Sequence, residues 1–319
     1  GDEFTILVED YGGYCGADFW VEESDGDIVN DSIYNKNRIV SERLNLDINW
    51  VMFTHNWDDR SEFTTKFRSG VLAGDGSYDL AAGLGYFMPS FVSDGILSDM
   101  STLPYIDPEK PWWSDKFMKA SSIDGKYYFV TGDASLGMIK NMFCVYENLD
   151  LAEKLGVENL YDVVRDGKWT LDKMAELSET AAADLNGDTV MDKNDRFGIA
   201  SDMWMCVDGY IQSCDIKITE RDSDGMPKLL GLTERYADAQ VKIRALLNNK
   251  NIAFFGSSPD AKELFQNSQS LFLANNIEAA HIMRSMKDDF GIIPYPKFNE
   301  EQKDYINFAN PWITTCAPF

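Results

Sequence analysis

Phe4-Thr5-Ile6-Leu7-Val8-Glu9-Asp10-Tyr11-Gly12-Gly13 is a short apolar run that ends in two acids, a tyrosine and a glycine pair. A run of this length bounded by glycine reads as a buried strand followed by a turn. Downstream, Ile33, Asn37, Val40 and Leu44 recur at helical spacing. Leu46, Ile48, Trp50 and Met52 then alternate with other residues at period two, as in a strand. Phe63, Phe67 and Val71 mark one face of a second helix, which Gly74 closes. Tyr78 to Ala82 is read as a third strand and Tyr86 to Val92 as a short helix. The resulting order, strand–helix–strand–helix–strand, implies a mostly parallel sheet with helices on its faces.

The next forty residues differ. Pro104, Pro108 and Pro111 punctuate a loop that runs into Trp112-Trp113, and Ile123-Asp124-Gly125-Lys126 reads as a turn before a strand ending near Val130. A second α/β block then begins. Met142 to Tyr146, Phe197 to Ala200, Ser270 to Ala274 and Phe290 to Pro294 are its expected strands. Thr170 and Thr233 are placed to cap helices, the second running to about Asn248. The expected organisation is two lobes, 1–137 with 310–319 starting the return to it, and 138–309. No repeat or low-complexity tether separates them, so a hinge and an interlobe cleft are expected, the usual place for a ligand.

Composition excludes several functions. The 319 residues carry 53 acidic against 29 basic side chains, a net charge of −24. Nucleic-acid binding needs clustered Lys and Arg, and anionic lipid repels such a surface. No stretch reaches the roughly 18 apolar residues that span a bilayer. With 44% hydrophobic residues, including 8 Trp, 14 Tyr and 19 Phe, the chain has ample material for cores. A soluble monomer with a small or neutral ligand is expected. The start, Gly1-Asp2-Glu3, has no Met and no apolar signal segment, so any export signal is expected to have been removed. The end, Pro311 to Phe319, reads as the middle of a strand, and a chain cut short at its C-terminus is expected.

Five cysteines, Cys15, Cys144, Cys206, Cys214 and Cys316, match no zinc spacing. They read as buried free thiols, with a Cys206–Cys214 pair, eight positions apart, as the alternative. Two histidines, His55 and His281, exclude a His-rich metal site; His55 reads as a loop residue and His281 as structural. Asp184 to Asp195 is a twelve-residue acidic loop with oxygen donors at positions one, three, five, nine and twelve. Hard oxygens at this spacing wrap a calcium ion, with the backbone carbonyl of position seven. Its expected ligands are Asp184, Asn186, Asp188, Val190, Asp192 and Asp195. Thr189 stands where a sharp turn favours glycine, and Asp195 where a longer Glu is usual.

Nine segments in order carry a family resemblance. They are Phe4–Leu7, Asn30–Tyr34, Ala73–Leu80, Lys110–Ser114, Ile123–Lys126, Thr131–Asp133, Gly167–Met174, the acidic loop and Phe290–Lys297. The chain resembles the extracellular solute-binding proteins, family 1, of ABC importers, in particular members from gut Firmicutes, over nearly its whole length. The resemblance implies a two-lobe Venus-flytrap α/β fold of the periplasmic-binding-protein-like type 2. It implies capture of a small solute, most often a sugar or oligosaccharide, and delivery to a membrane permease, without catalysis. An extracellular protein, lipid-anchored at the cell surface in its precursor, is implied too, and such proteins commonly carry a calcium-type loop in the second lobe.

Carried onto this sequence, ligand contacts are expected in loops at the carboxyl ends of strands. Asp10 and Tyr11 follow the first strand, Tyr86 and Phe87 the third. Asp133 and Ser135 lie at the first crossing between lobes, and Trp312 near the return crossing. Trp204, Asn275 and Asn276 follow strands of the second lobe. The Gly-Pro-Trp type segment that sugar-binding relatives often present after Asn276 is absent here. Trp112 and Trp113 read as packing. The alternatives are a secreted glycan-active enzyme, which needs two carboxylates that no motif here selects, and a ligand-binding partner of a membrane sensor.

Overall fold

The structure is a computed structural model and describes residues 1–13, 15–204, 206–310 and 313–318. Its strands, in chain order, are β1 (Asp2–Tyr11), β2 (Leu46–His55), β3 (Leu80–Leu84), β4 (Phe143–Asn148), β5 (Phe197–Asp202), β6 (Thr219–Arg221), β7 (Pro227–Leu229), β8 (Ala253–Gly256), β9 (Ser270–Asn276), β10 (Phe290–Ile293) and β11 (Ile313–Cys316). The chain forms two units. The first comprises 1–139, 221–227 and 310–319, and the second 140–220 and 228–309.

The first unit is built on a four-stranded sheet in the order β11-β3-β1-β2. β1 lies parallel to both β2 and β3, as the strand–helix alternation requires, and β11 runs antiparallel to β3. β1 buries both faces. Leu7 packs with Phe63, Phe67, Ala81 and Phe91, while Ile6 and Val8 pack with Cys15, Phe19 and Ala82. The helix Arg60–Ala73 supplies Phe63 and Phe67, both fully buried, and ends on Gly74 at φ 65°. Burial of each phenylalanine contributes about 2 kcal/mol of transfer free energy.

Three local expectations for this unit need correction. The helix Ile28–Leu44 forms, capped by Asp27, but Val40 and Leu44 are exposed. Of the expected stripe, Ile33 and Asn37 do turn inward, and Asn37 donates to the carbonyl of Phe19 at 2.8 Å. The third strand starts two residues later than expected. Asp79 exchanges two hydrogen bonds with Thr5, one from its backbone N–H and one to its carboxylate, and so caps the ladder before Leu80. Around Lys126 there is a tight turn closed by Ile123 and Lys126, but no named strand follows it.

The second unit has a five-stranded sheet in the order β10-β4-β9-β5-β8. β5 is parallel to β8 and β9; β4 runs antiparallel to β9 and β10. Its central strands are buried on both faces. Phe143 and Val145 join one core with Trp169, Met174 and Ile243; Cys144 and Tyr146 join another with Phe265 and Leu273. Thr170 caps the helix Leu171–Ala181 and Thr233 caps Glu234–Leu247, each hydroxyl accepting an N–H three residues on. Trp169, fully buried, donates its indole N–H to Pro294 at 2.8 Å, and Leu171 N–H reaches Lys297 at 2.8 Å. Two sequence segments more than a hundred residues apart are thereby one structural corner.

Candidate functional site

In a parallel sheet the carboxyl ends of neighbouring strands share one edge, and the loops leaving that edge can converge on a ligand. In the first unit this edge is organised by Glu9, which has no exposed surface. Its Oε2 accepts the N–H of Leu84, the last residue of β3, at 2.6 Å. Its Oε1 lies 2.7 Å from His55 Nε2 at the end of β2, and His55 Nδ1 lies 3.0 Å from the carbonyl of Asn56. Burial pushes the Glu9 carboxyl above its ordinary range, against the opposing effect of the bonds from Leu84 and His55. Gly83 is required here: a Cβ on it would come within 2.7 Å of the Glu9 carboxylate and 2.8 Å of the Phe63 ring. His55 is therefore a buried strand residue and not the loop residue expected.

Aromatic side chains leave the same edge. Tyr11 sits edge-on to His55, ring centres 5.7 Å apart. Trp57 follows β2 and is 51% exposed; Tyr86, after β3, is 80% exposed. Trp57 lies 5.9 Å from Phe87 and 6.3 Å from Tyr86, and Tyr86 and Phe87 meet edge to face at 5.1 Å. Arg60 covers one face of Trp57 at 4.7 Å. Large aromatic faces left open beside one another offer a stacking surface for an apolar or sugar ring at low cost in rotamer entropy.

Of the polar residues expected at this edge, Asp10 is buried and committed. One oxygen accepts Gly16 N–H at 2.9 Å and the other the Thr54 hydroxyl at 3.0 Å, so it holds the loop after β1 in place. Asp133 is exposed, its N–H bonded to the carbonyl of Trp112. Ser135 is buried and its hydroxyl oxygen accepts Gly137 N–H, a turn-forming bond. Trp312 lies outside the described residues. Trp57 and Glu9 were not among the expected contacts, although Trp57 follows its strand as closely as Tyr86 follows β3.

In the second unit, β5, β8 and β9 are parallel and share a carboxyl edge. Trp204 follows β5 with its N–H fixed on Asp202 at 2.6 Å and its side chain 77% exposed. Asn275 and Asn276 end β9 and are buried. Asn276 donates to Asn141 at 3.0 Å, and Asn275 Oδ1 accepts the Asn276 N–H. The Asn275 amide nitrogen has no hydrogen-bond partner among the described residues. A buried donor without a partner is costly, and a ligand acceptor would satisfy it.

The acidic loop is closed at its neck by pairing of Ala183 with Arg196. Asp184 accepts the N–H groups of Gly187 and Thr189 at 2.6 and 2.8 Å, and Asp188 that of Val190 at 2.8 Å. Asn186 Oδ1 accepts from Asp188 and Asp192 from Asn194. Asp195 is buried, and the N–H groups of Asp192 and Leu185 on its two oxygens hold its carboxyl below the usual range. Thr189 adopts φ 65°, the conformation for which glycine is favoured. A carboxylate oxygen that accepts one N–H keeps a second lone pair, so the donor set suits calcium chemically. Among the described residues, however, no group of three or more His, Cys, Asp or Glu side chains is arranged to hold a metal.

The five cysteines are all free and buried, so Cys206 and Cys214 do not pair. Burial pushes Cys144 and Cys206 up to about 12 and Cys214 to about 11, and raises Cys316 as well. Such thiols are not nucleophiles near neutral pH.

The family model for bacterial extracellular solute-binding proteins matches residues 52–318. The chain belongs to that family. It is a family of binding proteins, not of enzymes. No curated protein matches the chain. Among solved structures, it resembles the galacto-N-biose/lacto-N-biose I-binding protein of an ABC transporter from Bifidobacterium longum, in complex with lacto-N-biose. The TM-score is 0.66 at 14% identity, over 99% of this chain and 70% of that one. An ABC substrate-binding protein from Listeria monocytogenes in complex with cycloalternan gives 0.60 at 17% identity, covering 99% and 71%. A maltose/maltodextrin-binding domain from Bdellovibrio bacteriovorus bound to maltotriose gives 0.55 at 17%, covering 99% and 71%. The fold of this solute-binding protein is thus the two-lobe α/β fold of periplasmic binding proteins. Among the described residues, no helix is long and apolar enough to cross a membrane.

Proposed function

We propose that this solute-binding protein captures a carbohydrate, an uncharged sugar or oligosaccharide, and delivers it to the permease of an ABC importer. The observation that carries the reading is the open aromatic group Trp57–Tyr86–Phe87 at the carboxyl edge of the first unit's parallel sheet. Sugar rings present C–H faces that stack on such side chains, and their hydroxyls take bonds from Asp and Asn groups. The structural relatives carry sugars of several kinds, which supports the class and leaves the individual sugar to experiment. In the second unit, exposed Trp204 and the unpartnered Asn275 amide offer a further stacking face and donor.

The protein works without catalysis, outside the cell as a monomer, held at the surface by a lipid on its precursor. The acidic loop is an accessory calcium site that stiffens the turn between a helix and β5; a calorimetric titration with calcium that gives no heat and no change in melting removes it. The solute reading is tested by a thermal-shift screen of neutral mono- and oligosaccharides against peptides and polyamines. A sugar that binds only the folded state raises the melting temperature in proportion to ln(1 + [L]/Kd). Trp57→Ala and Trp204→Ala should each weaken the sugar found by about 1–3 kcal/mol while leaving folding intact. A peptide or polyamine hit with no sugar hit, or unchanged sugar affinity in both variants, overturns the reading.

A further inference from the structure

Glu9 and His55 meet where the carboxyl ends of β1, β2 and β3 lie side by side, and the bonds around them leave room for one proton between them. The Asn56 carbonyl can only accept, so His55 Nδ1 carries a hydrogen. The Leu84 N–H can only donate, so Glu9 Oε2 must accept. One proton then lies in the 2.7 Å contact between Glu9 Oε1 and His55 Nε2, on either atom, and all three bonds are made. Remove it, and the imidazole has one hydrogen for two acceptors. It must abandon either the Glu9 carboxylate or the Asn56 carbonyl, which belongs to the residue immediately before Trp57. Add a second proton, and the acid must place a hydrogen against either His55 Nε2–H or the Leu84 N–H. Neither side chain has water to take up the lost bond, since Glu9 and His55 are both buried.

We infer that the Glu9–His55 pair is a proton-locked positioning pair that holds the loops bearing Trp57 and Tyr86–Phe87, so that solute affinity is highest when the pair shares one proton. The inference rests on the reading of those aromatics as a solute surface. Other ionisable groups on the elements packed here are Asp10 and Tyr11 on β1 with Asp2 and Glu3 at its far end, Asp47 at the far end of β2, Asp58 and Asp59 after β2, and Arg60, Glu62, Lys66 and Arg68 on the following helix, Arg68 being paired with Asp94. Asp10 is bonded to Gly16 and Thr54, Arg60 covers Trp57 and Lys66 covers the ring of Phe53. β3 contributes no ionisable group.

Glu9→Gln gives a sharp test. Its amide oxygen can accept from Leu84 while its NH2 donates to His55 Nε2, so every bond survives with no proton to lose from residue 9. Nitrogen and amide NMR on the sugar-free protein, from about pH 4.5 to about pH 9, reads the lock directly. In the wild type the Leu84 amide and the Trp57 indole should move together, with one shared midpoint as the pair loses its proton. In Glu9→Gln the Leu84 and Trp57 signals should stay at their locked positions through that midpoint. Leu84 and Trp57 signals that move independently of one another, or a shared midpoint unchanged in Glu9→Gln, overturn the inference. A second arm measures maltotriose and lacto-N-biose, both uncharged. A sugar that binds should weaken about tenfold above the midpoint in wild type, the loss of one buried charge-assisted bond, and hold its affinity in Glu9→Gln. An affinity independent of pH while the NMR signals shift severs the lock from the binding surface and refutes the inference. Failure of every sugar counts against the carbohydrate reading, and the sugar-free arm still decides the lock.

Discussion

A carboxyl group buried without a partner prefers to keep its proton, and Glu147 on β4 is such a group. Its Oε2 has no hydrogen-bond partner among the described residues, and burial raises its pKa from 4.5 to about 7. Between these values the folded chain holds a proton the unfolded chain has lost. Unfolding free energy therefore falls as pH rises through that window and is level on either side of it. The loss amounts to roughly 3 kcal/mol for this one group. Glu147→Gln should abolish the decline, so that urea denaturation at about pH 5 and about pH 8 gives more nearly equal stabilities than in wild type. Parallel declines in both proteins would show that Glu147 is not the source. At this scale the sequence was only partly legible. The exposed places of Tyr86 and Trp204 just past strand ends were legible, but Glu9 lies inside an apolar run and its partners are 46 and 75 positions away. Nothing local in FTILVEDYGG distinguishes its role from that of Asp10 beside it.

Elements were read well where the pattern was redundant. The parallel arrangement of β1, β2 and β3 followed from three apolar runs separated by helices, and the caps at Thr170 and Thr233 fell where hydroxyl chemistry placed them. The inward face of Ile28–Leu44 held in its first half, where Ile33 is buried and the polar Asn37 found a backbone partner, and failed in its second, where Val40 and Leu44 are exposed. In the acidic loop the departure visible in sequence, Thr189 in place of glycine, has a backbone consequence. A β-branched residue at φ 65° is strained. Thr189→Gly should raise stability by roughly 1 kcal/mol, read as a higher melting temperature in calcium-free buffer. No change, or a loss, would mean that the Thr189 side chain contributes contacts worth more than the strain it brings.

For the whole molecule, charge and thiols matter together. A net charge of −24 keeps the chain apart from its copies and from other polyanions, and the two-lobe family fold was legible because nine short segments fell in a fixed order. The pairing of Thr170 with Lys297, which joins two of those segments, was not, since no spacing rule connects them. All five cysteines are buried as free thiols. Maleimide should leave the native protein almost unmodified and label five sites once guanidinium unfolds it, as counted by mass spectrometry; rapid labelling of the native chain would contradict the burial. That silence has a practical side. A cysteine installed on an exposed loop position next to Trp57 would be the sole target of a thiol-reactive dye. The natural chain could thus serve, without prior removal of any residue, as the body of a fluorescent reporter for its own ligand.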